Sequence, residues 1–284
     1  MPRTRLILDY LARGRACRYG PHRSQRADLH LPRGAGPHPV MVLLHGGSWQ
    51  KRYGKIVMRG LAGDLVRRGW AVWNVEYRRV GEGGGWPATF ADVAAAIDHL
   101  PHLNAPLDLE DVSVLGHSAG GHLALWAASR ERLPDASPGA APAIVPKRAI
   151  AQAGVCDLTG AYRRWRGGAV RALMGGSPED LPERYAVADP LVLVPLAMPV
   201  LLVHGVLDET VSVELSRSYE RAARTAGGEV ELVEIPGEAG RHRAHIDPRG
   251  QAWAAVVRWL ASPARGADIK RPTPRPRSGL SSSP

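Results

Sequence analysis

Residues 112–128 leave few options for a fold. Val112-Ser113-Val114-Leu115 is a short, β-branched and apolar run that reads as a buried strand. Gly121-His122-Leu123-Ala124-Leu125-Trp126-Ala127-Ala128 has helix-forming composition and no proline. Only Gly116-His117-Ser118-Ala119-Gly120 lies between them. A strand that turns into a helix over five residues needs glycine beside the bend, where backbone approaches backbone. The pentapeptide also fits G-x-S-x-G. In that motif the turn lifts a serine oxygen above the sheet edge, and the helix N-terminus behind it turns N–H groups toward developing negative charge. Alone the pentapeptide is weak, because a plain glycine-rich turn would look the same. The rest of the chain has to decide.

Apolar strand-like runs occur at 27–31, 39–44, 70–77, 111–116, 148–154, 200–204 and 229–235. Helical patterns lie near 55–68, 89–100, 119–130, 211–226 and 249–261. Continuous Val/Leu/Ile strands with helices between them predict an α/β fold: a mostly parallel central sheet with helices on both faces. One domain over 15–262 takes in all of these elements. Residues 131–147, rich in Pro and Ala, read as a surface loop. Residues 157–198 hold short, broken pieces and read as a cap-like insertion placed to cover a site. A flexible basic extension is expected over 1–14, and a disordered Pro/Arg/Ser-rich tail over 263–284.

The net charge of +10 would suggest a nucleic-acid partner if it lay on one folded face. It does not. Residues 1–26 carry seven Arg and one Asp, and residues 262–284 carry four Arg, one Lys and one Asp. Those two ends hold the whole excess, and 27–261 balances 25 bases against 25 acids. No nucleic-acid partner is expected. No apolar run approaches the roughly 18 residues of a membrane span, so no stable membrane insertion is expected. Leu6-Ile7-Leu8 is too short for a signal-peptide core, which points to the cytoplasm. Cys17 and Cys156 fit no metal or redox spacing and read as free thiols. No metal and no cofactor are expected, and a homodimer is left open.

A nucleophilic serine needs a base, and the base needs an acid to orient it. After Ser118, the strand-like Val200-Leu201-Leu202-Val203-His204 runs into Gly205-Val206-Leu207-Asp208. A carboxylate just past a strand's C-terminal end lies on the same sheet edge as the serine, so Asp208 is the candidate acid. Its competing role is to cap the helix at 211–226, and Glu209 is the weaker acid candidate. The base must follow in the chain, and His242 and His245 both qualify by position. Ala119 supplies one oxyanion N–H. Gly46 and Gly47, in Leu44-His45-Gly46-Gly47-Ser48-Trp49, are candidates for the others. Trp49 and Trp86 are candidate pocket walls. His45, His117, His122 and His204 read as structural hydrogen-bonding residues, and Glu76 and Asp92 as buried partners near the oxyanion loop.

These residues together resemble the α/β-hydrolase superfamily, specifically small bacterial carboxylesterases of the hormone-sensitive-lipase-like and kynurenine-formamidase-like groups. The matching pieces are His45-Gly46-Gly47-x-Trp49, Asn74-Val75-Glu76-Tyr77-Arg78, Gly116-His117-Ser118-Ala119-Gly120-Gly121-His122, His204-Gly205-x-x-Asp208-x-x-Val211 and Ile246-Asp247-Pro248. Relatives commonly read His-Phe-x-x-Ile-Asp-Pro with the first histidine catalytic. Here that spacing places the base at His242, with Arg243 where an aromatic residue is usual. The resemblance implies hydrolysis of a small-molecule ester or amide through Ser118, Asp208 and His242 and an acyl-enzyme. The expected activity is a carboxylesterase for small acyl groups. The alternative is an arylformamidase acting on N-formylkynurenine. A catalytically silent hydrolase fold used for binding is the remote one.

Overall fold

A computed structural model describes residues 14–262. The extension expected over 1–14, Gly14 apart, and the tail expected over 263–284 lie outside the described residues. Eight strands among the described residues form one sheet: β1 (Arg15–Arg18), β2 (Arg26–His30), β3 (His38–Leu44), β4 (Ala71–Val75), β5 (Leu107–His117), β6 (Arg148–Gln152), β7 (Val200–Gly205) and β8 (Val230–Ile235). Their order is β1-β2-β4-β3-β5-β6-β7-β8. β1 and β2 pair antiparallel, as do β2 and β4, and every later pair is parallel.

Side chains alternate across the sheet with the period of two that a strand imposes. Val40, Val42 and Leu44 of β3, Trp73 and Val75 of β4, and Leu202 of β7 face one core. Met41, Leu43, Val72, Leu201 and Val203 face the other. The first core is covered by α2 (Ala88–Asp98), α3 (Ala119–Ala128) and α7 (Val213–Thr225). The second is covered by α1 (Arg59–Arg67) and α8 (Gln251–Ala261), through Leu61, Leu65, Trp253 and Val256. These two helices are also joined by the Trp253 indole N–H, which donates to Asp64 Oδ2 at 2.7 Å.

Seven strands fall where the apolar runs predict them. β1 is the exception, since Arg15-Ala16-Cys17-Arg18 has no apolar run and is held by backbone pairing to β2. The helical pattern near 55–68 is really a 3₁₀ turn at Lys55–Met58 followed by α1. The segment at 157–198 contains three seven-residue helices: α4 (Leu158–Arg164), α5 (Gly168–Met174) and α6 (Pro182–Ala188). Helices this short show too little periodicity to be read from sequence.

β3 is flanked by β4 and β5, so the chain leaves it first toward one side of the sheet and later toward the other. Loops diverge at the carboxyl end of such a switch point and leave a crevice there. The β3 loop and the β5–α3 turn meet in it. The turn is held by backbone packing: a Cβ on Gly120 would overlap the Leu44 carbonyl at the end of β3, and one on Gly116 would overlap the Gly120 carbonyl. Backbone cannot step aside as a flexible side chain can. Gly120→Ala is therefore expected to destabilise the domain by about 3 kcal/mol, the upper range for overpacking. A lowered urea midpoint at unchanged slope would register it, and a native midpoint would contradict this packing.

Candidate active site

Ser118 stands between β5 and α3 with φ 57° and ψ −121°, a left-handed conformation that L-residues adopt at a cost. The surroundings hold it there. Its N–H donates to the Gln152 carbonyl of β6 at 2.9 Å, and its own carbonyl accepts from Gly121 N–H at 2.9 Å and His122 N–H at 3.2 Å. Ala119 opens α3, so its N–H is one of the helix-terminal amides without an intrahelical acceptor.

Asp208 follows β7 and its two oxygens do different work. Oδ1 accepts from the N–H groups of Thr210 and Val211, both at 2.9 Å. Oδ2 accepts from His242 Nδ1 at 2.8 Å. Burial disfavours the carboxylate, but the His242 bond and the two amides outweigh it and hold Asp208 below the usual carboxylate range. The competing cap role is absent, because the Ser212 side chain caps α7 instead. Glu209 makes no such bond to a histidine and is exposed.

His242 opens a 3₁₀ turn, His242–Ile246, and is tied to the elbow through its own backbone. The His117 Nε2–H donates to the His242 carbonyl at 2.9 Å, and the two rings lie 4.6 Å apart. His245, the other candidate base, is fully buried beneath it, with its ring 6.4 Å from that of His117 and 6.3 Å from that of His204. Asp208 is bonded to His242 and not to His245.

The β3 loop forms the facing wall. Gly47, Ser48 and Trp49 have φ of 117°, 54° and 55°, three left-handed residues in succession. A Cβ on Gly46 would come within 2.9 Å of the Ser118 Cβ, which puts this loop against the elbow. Behind it, His45 Nδ1–H donates to the Gly46 carbonyl at 2.8 Å, and His45 Nε2 lies 2.8 Å from Glu76 Oε1. Tyr77 stacks on the His45 ring at 4.4 Å and donates its hydroxyl to the His45 carbonyl at 2.7 Å. Burial opposes ionisation of Glu76, but His45, Arg79 and the Lys55 amide hold it below the usual range. Asp92, the other acid near this loop, makes a forked bond to Arg78.

A cavity of about 190 Å³ opens over Ser118, lined by Ser48, Trp49, Ala119, Val155, Trp165, Ala169, Thr210 and Val211. Trp49 is thus in the wall. Trp86 is not, because it packs edge-on against Phe90 and its backbone N–H donates to Leu173 O of α5. Gly46 and Gly47 directly precede Ser48 of that wall, and Gly46 lies against the elbow. Sequence reasoning passed over Ser48, although its place beside two glycines is a usable signal. Trp165 follows α4 and Ala169 stands in the first turn of α5, a stretch no motif marks. The described residues contain no cluster of three or more His, Cys, Asp or Glu side chains able to hold a metal. No helix among them is long and apolar enough to cross a membrane. Both cysteines are free, and burial pushes the Cys156 thiol up to about 12.

The elbow, the switch-point crevice and the acid after β7 define an α/β-hydrolase. Residues 27–222 match the family model described as BD-FAE, and the chain belongs to that family. It is 30% identical over 220 residues to Esterase LipQ of Mycobacterium tuberculosis strain ATCC 25618 / H37Rv, covering 75% of this chain and 51% of that one. The chain spans about half the length of the curated relatives it matches. A truncated form of a carbohydrate esterase from gut microbiota superposes with a TM-score of 0.73 at 20% identity, over 87% of this chain and 95% of that one. The butyrate-bound Est2 esterase of the planctomycete Thermogutta terrifontis superposes at 0.70 and 21% identity, over 87% and 91%.

Burial holds His122 and His245 neutral, with pKa lowered from 6.5 to about 4. The unfolded chain then binds more protons than the folded one between those values, and stability rises with pH there. Their contribution is complete above pH 6.5 and is lost as pH falls toward 4. Thermal midpoints measured from pH 7.5 to 4.5 should fall below 6.5. A flat profile would mean that these rings are not buried as neutral groups.

Proposed function

We propose that the protein is a serine hydrolase that cleaves carboxylic esters of small acyl groups by two-step acyl transfer. The observation that carries this is the Asp208–His242 bond of 2.8 Å on the sheet edge from which Ser118 projects into its cavity. His242 Nε2 takes the Ser118 proton as Oγ attacks the ester carbonyl. The oxyanion rests on the amides of Gly47 and Ala119, with Gly46 as helper. His242 then passes the proton to the leaving alcohol, and water hydrolyses the acyl-enzyme by the reverse steps. Asp208 fixes the tautomer with the proton on Nδ1 and offsets the charge of the imidazolium.

The small acyl preference is supported by the size of the cavity, which is below the roughly 300–1,000 Å³ of sites that enclose drug-sized ligands. The ester reading over the formamide one is supported by relatives named as esterases. The test is turnover of p-nitrophenyl acetate and N-formylkynurenine by the purified protein, with a higher kcat/KM expected for the acetate. Asp208→Asn is expected to lower kcat about 10⁴-fold, as loss of the correct tautomer does elsewhere. Ser118→Ala and His242→Ala should fall at least as far, whereas His245→Asn should keep most of the rate. Retained activity in Ser118→Ala would refute the scheme.

A further inference from the structure

The roof of the cavity carries charge that the mechanism does not use. Tyr162 to Arg171 contains Arg163, Arg164, Arg166 and Arg171 and no acid. All four arginines are exposed, and none has a carboxylate within ion-pair distance among the described residues. Other exposed arginines are engaged, as in Arg224–Glu220, Arg241–Glu238 and Arg249–Asp247. Of the five acids of the insertion, Glu179 and Glu183 are exposed, Asp180 accepts from the Ser177 hydroxyl, and the other two are turned to backbone. Asp157 accepts from Gly160 N–H, and the buried Asp189 accepts from Leu158 and Thr159 N–H.

The arginines bracket the two residues that the roof contributes to the site. Arg166 lies between Trp165 and Ala169, both in the cavity wall. The Arg171 side chain lies over the same turn, since a Cβ on Gly167 would touch its Cβ and Cδ at 3.4 and 3.5 Å. On the facing wall, the exposed Lys51 and Arg52 follow Trp49, and the exposed Glu209 precedes Thr210. Among the exposed charged residues within two positions of the lining residues, cations therefore outnumber acids. A cleft edged by one sign of charge concentrates ligands of the opposite sign and raises their association rate.

We infer that the preferred substrates are small-acyl esters whose alcohol portion carries a negative charge, drawn to the mouth by the arginine turn at 163–171. The inference rests on the hydrolase reading above. The cavity of about 190 Å³ accommodates a short acyl group, which leaves the alcohol portion toward its opening, beside the arginine turn.

The test uses two acetyl esters, 4-acetoxybenzoate and its uncharged methyl ester, methyl 4-acetoxybenzoate. For each protein the ratio of kcat/KM, charged over neutral, is measured by release of the phenol. Comparing that ratio between proteins cancels the intrinsic difference in leaving group. Arg163→Gln/Arg164→Gln/Arg166→Gln/Arg171→Gln is expected to lower the ratio about tenfold, mainly through KM, and to leave neutral-ester turnover within about twofold. The corresponding fourfold Arg→Lys variant should keep the native ratio, because charge and not guanidinium geometry is at work. Raising NaCl from 10 to 300 mM should lower the native ratio as the screening length shrinks, and should hardly affect the glutamine variant. An unchanged ratio in a glutamine variant that still turns over the neutral ester would overturn the inference. A ratio lost in the lysine variant as well would overturn it too. If the native protein hydrolyses neither ester, the hydrolase reading fails and this inference falls with it.

Discussion

The site depends on one place where backbone meets backbone. Gly120 lies against the carbonyl of Leu44, so the end of β3 and the start of α3 are closer than any side chain would allow. That contact aligns two loops which the strand order would otherwise only bring near each other. With β3 and β5 paired in parallel over Val40–Leu44, Ser118 and the left-handed Gly47-Ser48-Trp49 segment emerge at one level of the sheet edge. β7 ends at the same edge two strands away, and Asp208 and His242 reach back across β6. The geometry of the chemistry thus follows from a packing constraint in the scaffold.

Electrostatically the site holds one ionised carboxylate among several rings. His117, His204 and His245 surround the Asp208–His242 pair, and burial lowers the pKa of each. In the proposed mechanism, neutral rings there would leave the imidazolium formed at His242 without a nearby like charge, with Asp208 as its counter-ion. The β3 loop has a separate arrangement in which His45 and Glu76 face each other and Tyr77 closes the stack.

Most of the scaffold and all three members of the proposed triad could be read from the chain. Buried parallel strands announce themselves as unbroken apolar runs, and a nucleophile elbow must show its glycines. Other features left less trace. β1 is an edge strand in which two arginines flank two small residues, stabilised by main-chain bonds that any residue can make. Position alone left His242 and His245 open, since only two residues lie between them; the resemblance favours His242, and in the structure the Asp208 bond and the burial of His245 set the two rings apart. Trp86 was misjudged because a tryptophan near a motif looks the same in sequence whether it lines a cavity or props the helix behind it. Trp165 and Ala169 were missed because cavity walls obey no local pattern; they are set by how a turn 50 residues on comes to rest.

The segment between β6 and β7 is closed on itself: Asp189 at its far end accepts the amides of Leu158 and Thr159 at its near end. It is also tied to the nucleophile helix, where the Trp126 and His122 rings donate to the consecutive carbonyls of Val187 and Ala188. A segment stapled at its base is an exchangeable cassette. Residues 160–186 can change in length or composition without altering the distance its two ends must span or the strands that bear the chemistry. In this architecture, divergence of substrate range can proceed in the roof while the reacting atoms stay where they are.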